Sequence, residues 1–166
     1  MSSNGIKTSF WGPPAWRFLF STIMGSFPVK VDPTNKDHKR IISSFHKMFK
    51  SMIDTLPCIY CRQSYKAFIK QIPITQFSDS RKNMMKWLYL IRDCVNRKLI
   101  EQERDCYENE KLSLLKKNIS SHKLKSILKD IKSTTMITKS SPPFEQVFSF
   151  YEKQRAGCSK TTKKCS

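Results

Sequence analysis

The chain contains few of the features that mark β-rich, membrane-spanning or secreted proteins. Glycine occurs only four times in 166 residues, and apolar residues recur at helical spacing, so we expect an all-α protein. No run approaches the roughly 18 consecutive apolar residues of a membrane span. The N-terminus lacks a basic stretch followed by an apolar core, so we expect no secretory signal peptide and a cytoplasmic location.

Histidine is also scarce, and the cysteines do not complete a metal-binding pattern. Zinc needs four ligands, but Cys58-x-x-Cys61 has no second pair at finger-like spacing, and the three histidines are scattered. We therefore predict no metal site. Six cysteines in a chain without a signal peptide favour redox or catalytic use over a secreted disulfide framework.

Acidic residues are also few, since the chain has 13 Asp and Glu against 31 Lys and Arg. Its net charge is therefore +18. Such an excess suggests an anionic partner. The charge is spread evenly, however, because residues 1–83 and 84–166 each carry +9. We interpret it as a diffuse surface that steers acidic substrates or partners, so any DNA binding should be non-specific and salt-sensitive. The alternative is a basic, non-enzymatic nucleic-acid-binding or virion structural module.

Hydrophobic periodicity predicts four helices joined by short links, which is typical of a four-helix bundle. Their expected bounds are Pro13 to Gly25, Thr34 to Leu56, Cys58 to Ile72, and Asp79 or Ser80 to Leu99. A short fifth helix is predicted at Leu112, Leu114 and Leu115. Beyond it we expect a C-terminal extension with helices near residues 124–131 and 144–151, a linker over 133–143 and a flexible basic end.

The strongest local signal is Cys58-Ile-Tyr-Cys61, which directly follows Pro57. Two thiols three residues apart lie on one face of a helical turn and can form a disulfide. Proline suits the first turn of a helix, so Cys58 is predicted at a helix N-terminus, where the dipole favours a thiolate. Arg62 and Lys66 add positive charge. The pattern indicates a redox dithiol, with inert thiols as the alternative.

A second signal is Trp11-Gly-Pro-Pro-Ala-Trp16, at the expected start of the first helix. A helix N-terminus with a tight glycine turn can hold phosphate. Two tryptophans five residues apart can clasp a flat aromatic ligand, although tryptophans at helical spacing also occur in protein cores.

Together these motifs resemble the Erv/ALR family of FAD-linked sulfhydryl oxidases. The family's W-G-P-x-x-W matches Trp11 to Trp16, and its Cys-x-x-Cys follows a long second helix, as here. Its H-N-x-V-N-x-x-L motif aligns with residues 92–99, and a cysteine seven residues later aligns with Cys106. The resemblance covers roughly residues 8–110.

The resemblance implies a FAD-binding sulfhydryl oxidase domain over residues 8–118 and a basic extension over 119–166. The expected reaction forms disulfides in protein dithiols and passes the electrons through FAD to molecular oxygen, giving hydrogen peroxide. Cys61 would face the flavin, and Cys58 would exchange with substrate thiols. A homodimer is also expected. The implied cofactor-binding residues are Trp11, Gly12, Trp16, Phe20, Arg92, Asn96 and Leu99.

This chain departs from the family pattern at several positions that help hold the flavin. Phe20 replaces a histidine, Phe27 replaces a tyrosine, and Arg92-Asp93 replaces His-Asn. Phe20 can still stack, and Arg92 can pair with a pyrophosphate. Such divergence resembles members encoded by large DNA viruses, which places the protein in the host cytoplasm, at the virus factory or in the virion. A degenerate oxidase without FAD is the alternative.

The C-terminal segment carries two further cysteines, Cys158 and Cys165, with six residues between them in a Lys- and Thr-rich stretch. Family members often carry a second cysteine pair on a mobile arm, so this pair is predicted to be a shuttle disulfide. The family's partner for Cys106 would fall at Lys123 and is missing. Unpaired tail thiols, or a bridge between Cys106 and Cys158, are the alternatives.

Overall fold

The computed structural model describes residues 4–117 and 119–156, and the regular structure in these ranges is helical. No strand occurs among the described residues, which confirms the all-α class. None of the described helices is long and apolar enough to cross a membrane. The helices are α1 (Thr8–Ser26), α2 (Lys36–Thr55), α3 (Ile59–Gln71), α4 (Arg81–Leu115), α5 (Ser121–Thr135) and α6 (Phe144–Glu152), with a 3-10 turn over Ile74–Phe77.

The chain divides into two compact units, which are described separately below. The first unit contains the residues up to Arg92 and those from Pro142 onwards, and the second contains Asp93–Ser141. The C-terminal helix α6 therefore belongs to the same unit as α1, α2 and α3. The domain boundary after residue 118 stays a prediction.

Aromatic rings fill the core of the first unit. Phe49 meets Trp87 edge-to-face at 4.6 Å between ring centres, and Phe27 meets Phe45 in the same way at 5.3 Å. The polar atoms of the large rings are satisfied, since the Trp87 indole N–H donates to the carbonyl of Ile72. Such edge-to-face contacts add stability beyond the area that they bury.

Local signals set the bounds of α2 and α3 close to those expected. The Asn35 side chain accepts hydrogen bonds from the backbone N–H groups of Asp37 and His38, which caps the start of α2. Proline at position 57 cannot extend α2, and α3 begins two residues later with Cys58 as its N-cap. The dithiol therefore lies at the junction of two helices.

Helix α1 begins at Thr8, five residues before the predicted start at Pro13. The N–H groups of Phe10 and Trp11 donate to the carbonyl of Lys7, so a helical turn forms ahead of the prolines. Proline has a helix-compatible φ but no N–H, and its ring crowds the carbonyl four residues earlier, so Pro13 and Pro14 lie inside α1 at the loss of two of its hydrogen bonds.

Leu112, Leu114 and Leu115 do not form a separate short helix, because α4 continues without a break to Leu115. No glycine or proline occurs between residues 81 and 115, so nothing in the sequence ends the helix near Leu99. A salt bridge of 3.1 Å between Lys111 and Glu108 supports the last turns.

The helices predicted in the C-terminal extension are confirmed as α5 and α6, and α5 extends to Thr135, into the expected linker. In the second unit, the Glu103 carboxylate accepts hydrogen bonds from the N–H and hydroxyl of Thr138. In the first unit, α6 packs on α1, where the Tyr151 ring stacks on Phe20 at 5.1 Å. The extension thus supplies part of the first unit's core.

An extended N-terminal segment, residues 4–7, holds the start of α3 in place. The N–H of Ile6 donates to the carbonyl of Pro57 at 2.9 Å, and the N–H of Ile59 donates to the carbonyl of Asn4 at 3.2 Å. Gly5 has φ +103°, a left-handed conformation that favours glycine. A Cβ at this position would lie 1.8 Å from the Pro57 carbonyl oxygen, so both space and backbone require glycine.

Replacing Gly5 with alanine should therefore lower the free energy of unfolding by about 1–3 kcal/mol, because the new Cβ is strained and displaces the segment. Urea denaturation measures the change. The control is Gly25→Ala, where a Cβ in α1 meets nothing within 4 Å. The control should be as stable as the wild type or slightly more stable. Equal stability of the two variants would show that the segment does not hold α3.

Candidate functional site

The dithiol occupies the N-terminal turn of α3. Cys58 is the N-cap, and its sulfur accepts a hydrogen bond from the backbone N–H of Cys61 at 3.3 Å. Both cysteines are half-buried. A sulfur that caps a helix can accept hydrogen bonds from the first N–H groups, which have no partner within the helix. It also lies at the positive end of the helix dipole, and both effects stabilise a negative charge. The predicted location of Cys58 at a helix N-terminus is confirmed.

The surroundings of Cys58 favour its thiolate. Partial burial of Cys58 raises the pKa of its thiol. Hydrogen bonds from the Cys61 side chain and from the N–H groups of Cys61 and Tyr60 lower this pKa. The positive charge of Arg62 acts in the same direction, and the net effect is to lower the pKa of Cys58 below its ordinary value. A thiol with a lowered pKa is the reactive kind, both as nucleophile and as leaving group.

Trp11 connects α1 to the dithiol through the N-terminal segment. Its indole N–H donates to the carbonyl of Ile6 at 3.2 Å, and the N–H of Ile6 donates to Pro57, directly before Cys58. Trp11 thus has a structural partner, and its contact with a cofactor stays a prediction. Gly12 lies inside α1, so the expected tight turn at a helix N-terminus is wrong, because the helix begins four residues earlier.

Phe20 lies where the family resemblance places a flavin contact, and the chain itself covers its ring. Phe20 is 0 % exposed. It stacks on Tyr151 and lies 6.5 Å from the Trp16 ring, and the guanidinium of Arg92 lies 6.0 Å from its centre. Burial raises the pKa of Tyr151, while the positive charges of Arg92 and Arg17 oppose this rise. This arrangement stabilises Phe20 as part of the core.

Asn96 and Leu99 belong to the second unit. The Asn96 side-chain amide donates to the hydroxyl of Ser141 at 2.9 Å, and the Leu99 side chain is 37 % exposed. Both lie on α4, as expected from the aligned motif. Their contact with a cofactor stays a prediction.

The remaining cysteines form no second centre in the described part of the chain. Cys94 is half-buried and Cys106 is exposed, and Arg97 donates a long hydrogen bond of 3.6 Å to the Cys94 sulfur. Cys158 and Cys165 lie outside the described residues, so the shuttle stays a prediction. No group of three or more metal-ligating side chains occurs in residues 4–117 and 119–156.

The residues of the first unit fit a flavin cofactor in part. Trp16 is half-buried and offers an aromatic ring. A Cβ at Gly12 would meet nothing within 4 Å, so a flat group can approach α1 there. Arg92 forms no salt bridge among the described residues and can pair with a phosphate. Phe20 fits less well, because Tyr151 already covers its ring.

Sequence reasoning missed Gly5 and Tyr151. Gly5 is one of only four glycines in the chain. Where glycine is this rare, each one is a candidate for a backbone conformation that other residues avoid, and this is the signal that could have identified Gly5. Tyr151 lies on a helix that was expected from its apolar spacing. Its partner on α1, however, is a long-range contact that no local pattern reveals.

Comparison with known proteins agrees with these observations. The model of the Erv1 / Alr family matches residues 14–117, which is more than half of the chain. A protein of Acanthamoeba polyphaga mimivirus, named as a probable FAD-linked sulfhydryl oxidase R368, is 32% identical over 87 residues. These residues make up 52% of this chain and 56% of that protein, so the chain spans little more than half of its relative's length. The chain belongs to the Erv1/Alr family.

Proposed function

We propose that the protein is a FAD-linked thiol oxidase that forms disulfide bonds in protein dithiols and passes the electrons to molecular oxygen. The observation that carries the proposal is the Cys58 thiol at the N-cap of α3, whose pKa is lowered by hydrogen bonds and by Arg62. Family membership and the mimiviral relative support it. Because this relative comes from a virus, we further propose that the protein acts in an infected host cell, in its cytoplasm, at the virus factory or in the virion.

The exchange step needs only the two cysteines. A substrate thiolate attacks the Cys58 sulfur of a Cys58–Cys61 disulfide, and Cys61 leaves with the electron pair of the broken bond. The second substrate thiolate then attacks the substrate sulfur of the mixed disulfide and releases Cys58 as a thiolate. The substrate gains one disulfide, and the enzyme dithiol gains two electrons. A low pKa at Cys58 favours the second step because Cys58 is its leaving group.

Cofactor binding is proposed for residues 8–118. Trp16 and Arg92 would hold FAD on the first unit, near Gly12, where α1 is open to approach. Trp11, Phe20, Asn96 and Leu99 are further candidates. When bound, FAD supplies the two-electron acceptor that reoxidises the dithiol and reduces oxygen to hydrogen peroxide. The protein contributes the orientation of Cys61 and a thiolate at Cys58.

A homodimer is part of the proposal. Phe10 and Phe18 are 78 % and 63 % exposed, and helical geometry places them on one side of α1. Apolar rings on an exposed helix face are typical of a surface that a second copy covers.

The lowered pKa of Cys58 predicts a distinct pH profile for the reduced enzyme. Because only the thiolate reacts, alkylation of Cys58 by iodoacetamide should reach half its maximal rate at a pH below the ordinary thiol range of about 8.5. Arg62→Gln should shift the profile upwards, since it removes a charge that lowers the pKa. Arg40→Gln on α2 is the charge-matched control and should leave it in place. Mass spectrometry measures the rate, and a profile equal to that of the urea-unfolded chain would contradict the assignment.

Substitution of either dithiol cysteine tests the oxidase itself. The purified protein should carry about one FAD per chain and absorb blue light. Cys58→Ser and Cys61→Ser should each retain the flavin but reduce oxidation of a dithiol peptide to below about one hundredth, because one sulfur attacks and the other resolves. Cys106→Ser, at an exposed position, is the control and should keep its activity. A colourless protein that added FAD cannot reconstitute would refute the cofactor assignment.

Truncation after Arg155 tests the proposed shuttle, because it removes Cys158 and Cys165. Oxidation of a protein dithiol should slow by about ten-fold or more, while dithiothreitol, which reaches Cys58 directly, should be oxidised at nearly the original rate. The full-length double variant Cys158→Ser/Cys165→Ser keeps the basic tail and should behave like the truncation. If both substrates slow equally, or neither does, the shuttle is not part of the mechanism.

A further inference from the structure

One face of α2 carries exposed and half-buried side chains from the first turns of the helix to its end and leads towards the dithiol. Positions 39, 42, 43, 46, 47, 50, 53 and 54 recur at spacings of three and four residues, so they lie on the same side of the helix. Two open grooves follow this face, both within the first unit. We call the two grooves together the basic stripe.

The first groove of the stripe, of about 390 Å³, lies along the middle of α2. It is lined by Lys39, Ile42, Ser43, His46, Lys47 and Lys50. The second groove, of about 280 Å³, lies between the end of α2 and the start of α3. It is lined by Ile53, Asp54, Ile59, Arg62, Gln63 and Lys66. The second groove reaches the residue after Cys58 and the arginine whose charge lowers the pKa of Cys58.

The charged side chains of the stripe are almost all positive, and its lysines are not neutralised by neighbouring carboxylates. Its cations are Lys39, Lys47, Lys50, Arg62 and Lys66, and its one carboxylate is Asp54. Among the described residues, none of the four lysines takes part in a salt bridge. An anionic partner would therefore meet cations without having to displace a carboxylate from any of them.

Apolar side chains alternate with these cations. Ile42 lies in the first groove, and Ile53 and Ile59 lie in the second, where Ile59 is 41 % exposed. Apolar patches between charges suit a polypeptide with mixed acidic and apolar side chains. No Phe, Tyr or Trp ring lines either groove on which a nucleic-acid base could stack, and the half-buried His46 imidazole of the first groove is hydrogen-bonded to Ser78.

We propose that the basic stripe docks an extended acidic segment of the protein that carries the substrate dithiol. From Lys39 to Asp54 the stripe spans about 22 Å of helix, enough for about seven residues of extended chain. A segment bound there would hold the neighbouring cysteines of the same protein beside Cys58, and the exchange would become effectively intramolecular. This substrate assignment rests on the proposed thiol oxidase function.

The charge of the stripe also disfavours a second copy as the occupant. A two-fold symmetric contact would place this surface, which has five cations and one carboxylate, against the same surface of the second copy. Like charges in such a contact oppose association. The apolar face of α1 with Phe10 and Phe18 has no such conflict, so the two surfaces can serve different partners.

Binding tests the stripe without requiring catalysis. A fluorescent peptide of seven residues with four Asp or Glu and no cysteine should bind the full-length protein at least about ten-fold more tightly than its Asn/Gln counterpart. The variant Lys39→Gln/Lys47→Gln/Lys50→Gln should lose about ten-fold in affinity for the acidic peptide. The control is Lys125→Gln/Lys129→Gln/Lys132→Gln, which makes the same charge change at exposed positions on α5 and should lose less than about two-fold.

Turnover provides the second readout. Fused to a dithiol sequence, the acidic segment should raise kcat/KM about ten-fold over the neutral segment in the wild type and in the α5 variant. In the stripe variant the two peptides should be oxidised alike, and raising the salt should reduce the wild-type preference. Circular dichroism checks that all variants remain helical.

The outcomes separate this inference from the proposed function. Equal binding of acidic and neutral peptides, or equal losses in the stripe and α5 variants, would overturn the docking site even if dithiothreitol is oxidised. A duplex DNA that displaces the acidic peptide from the stripe at about 0.15 M salt would overturn it in favour of nucleic acid. Selective acidic binding in a protein that holds no FAD would support the docking surface while refuting the oxidase.

Discussion

The hydrogen bond from the Ile6 N–H to the Pro57 carbonyl is the contact on which the position of the dithiol depends. A helix N-cap fixes the sulfur of Cys58 relative to α3, but it does not fix α3 relative to the other helices. The N-terminal segment joins α3 to α1, because the Ile6 carbonyl also accepts the indole N–H of Trp11, while the Tyr65 hydroxyl of α3 donates to the Phe49 carbonyl and joins α3 to α2. Gly5 allows the close approach. Four residues ahead of the first helix thus join the tryptophan motif of α1 to the dithiol motif of α3.

The same contact changes the interpretation of the tryptophan motif. In the sequence, Trp11 and Trp16 form a pair that could clasp a ligand. In the structure they have different surroundings, since Trp11 holds the N-terminal segment and Trp16 lies beside Phe20. A phenylalanine in place of the family's histidine has no polar atom to satisfy, so Phe20 can be buried completely against Tyr151.

Most helices could be predicted from the sequence because their signals are local. The apolar spacing of α2, the cap at Asn35 and the break at Pro57 all act within a few residues. The prolines of α1 misled the prediction because they are tolerated near a helix start that lies further upstream. The end of α4 was misjudged because weak apolar spacing does not stop a helix that has no breaker. Of the candidate site, Cys58 was placed correctly, whereas Gly5 and Tyr151 act through partners more than 50 residues away.

The stack of Phe20 on Tyr151 joins the first helix of the chain to the last. During synthesis, α1 leaves the ribosome long before α6, so one side of α1 lacks its aromatic partner until nearly the whole chain has been made. The first unit therefore cannot complete its core co-translationally in simple N-to-C order. A chain that ends between α4 and α6 would lack Tyr151 and leave one face of the Phe20 ring uncovered. Chaperones and proteases that bind exposed apolar side chains could then recognise the incomplete chain.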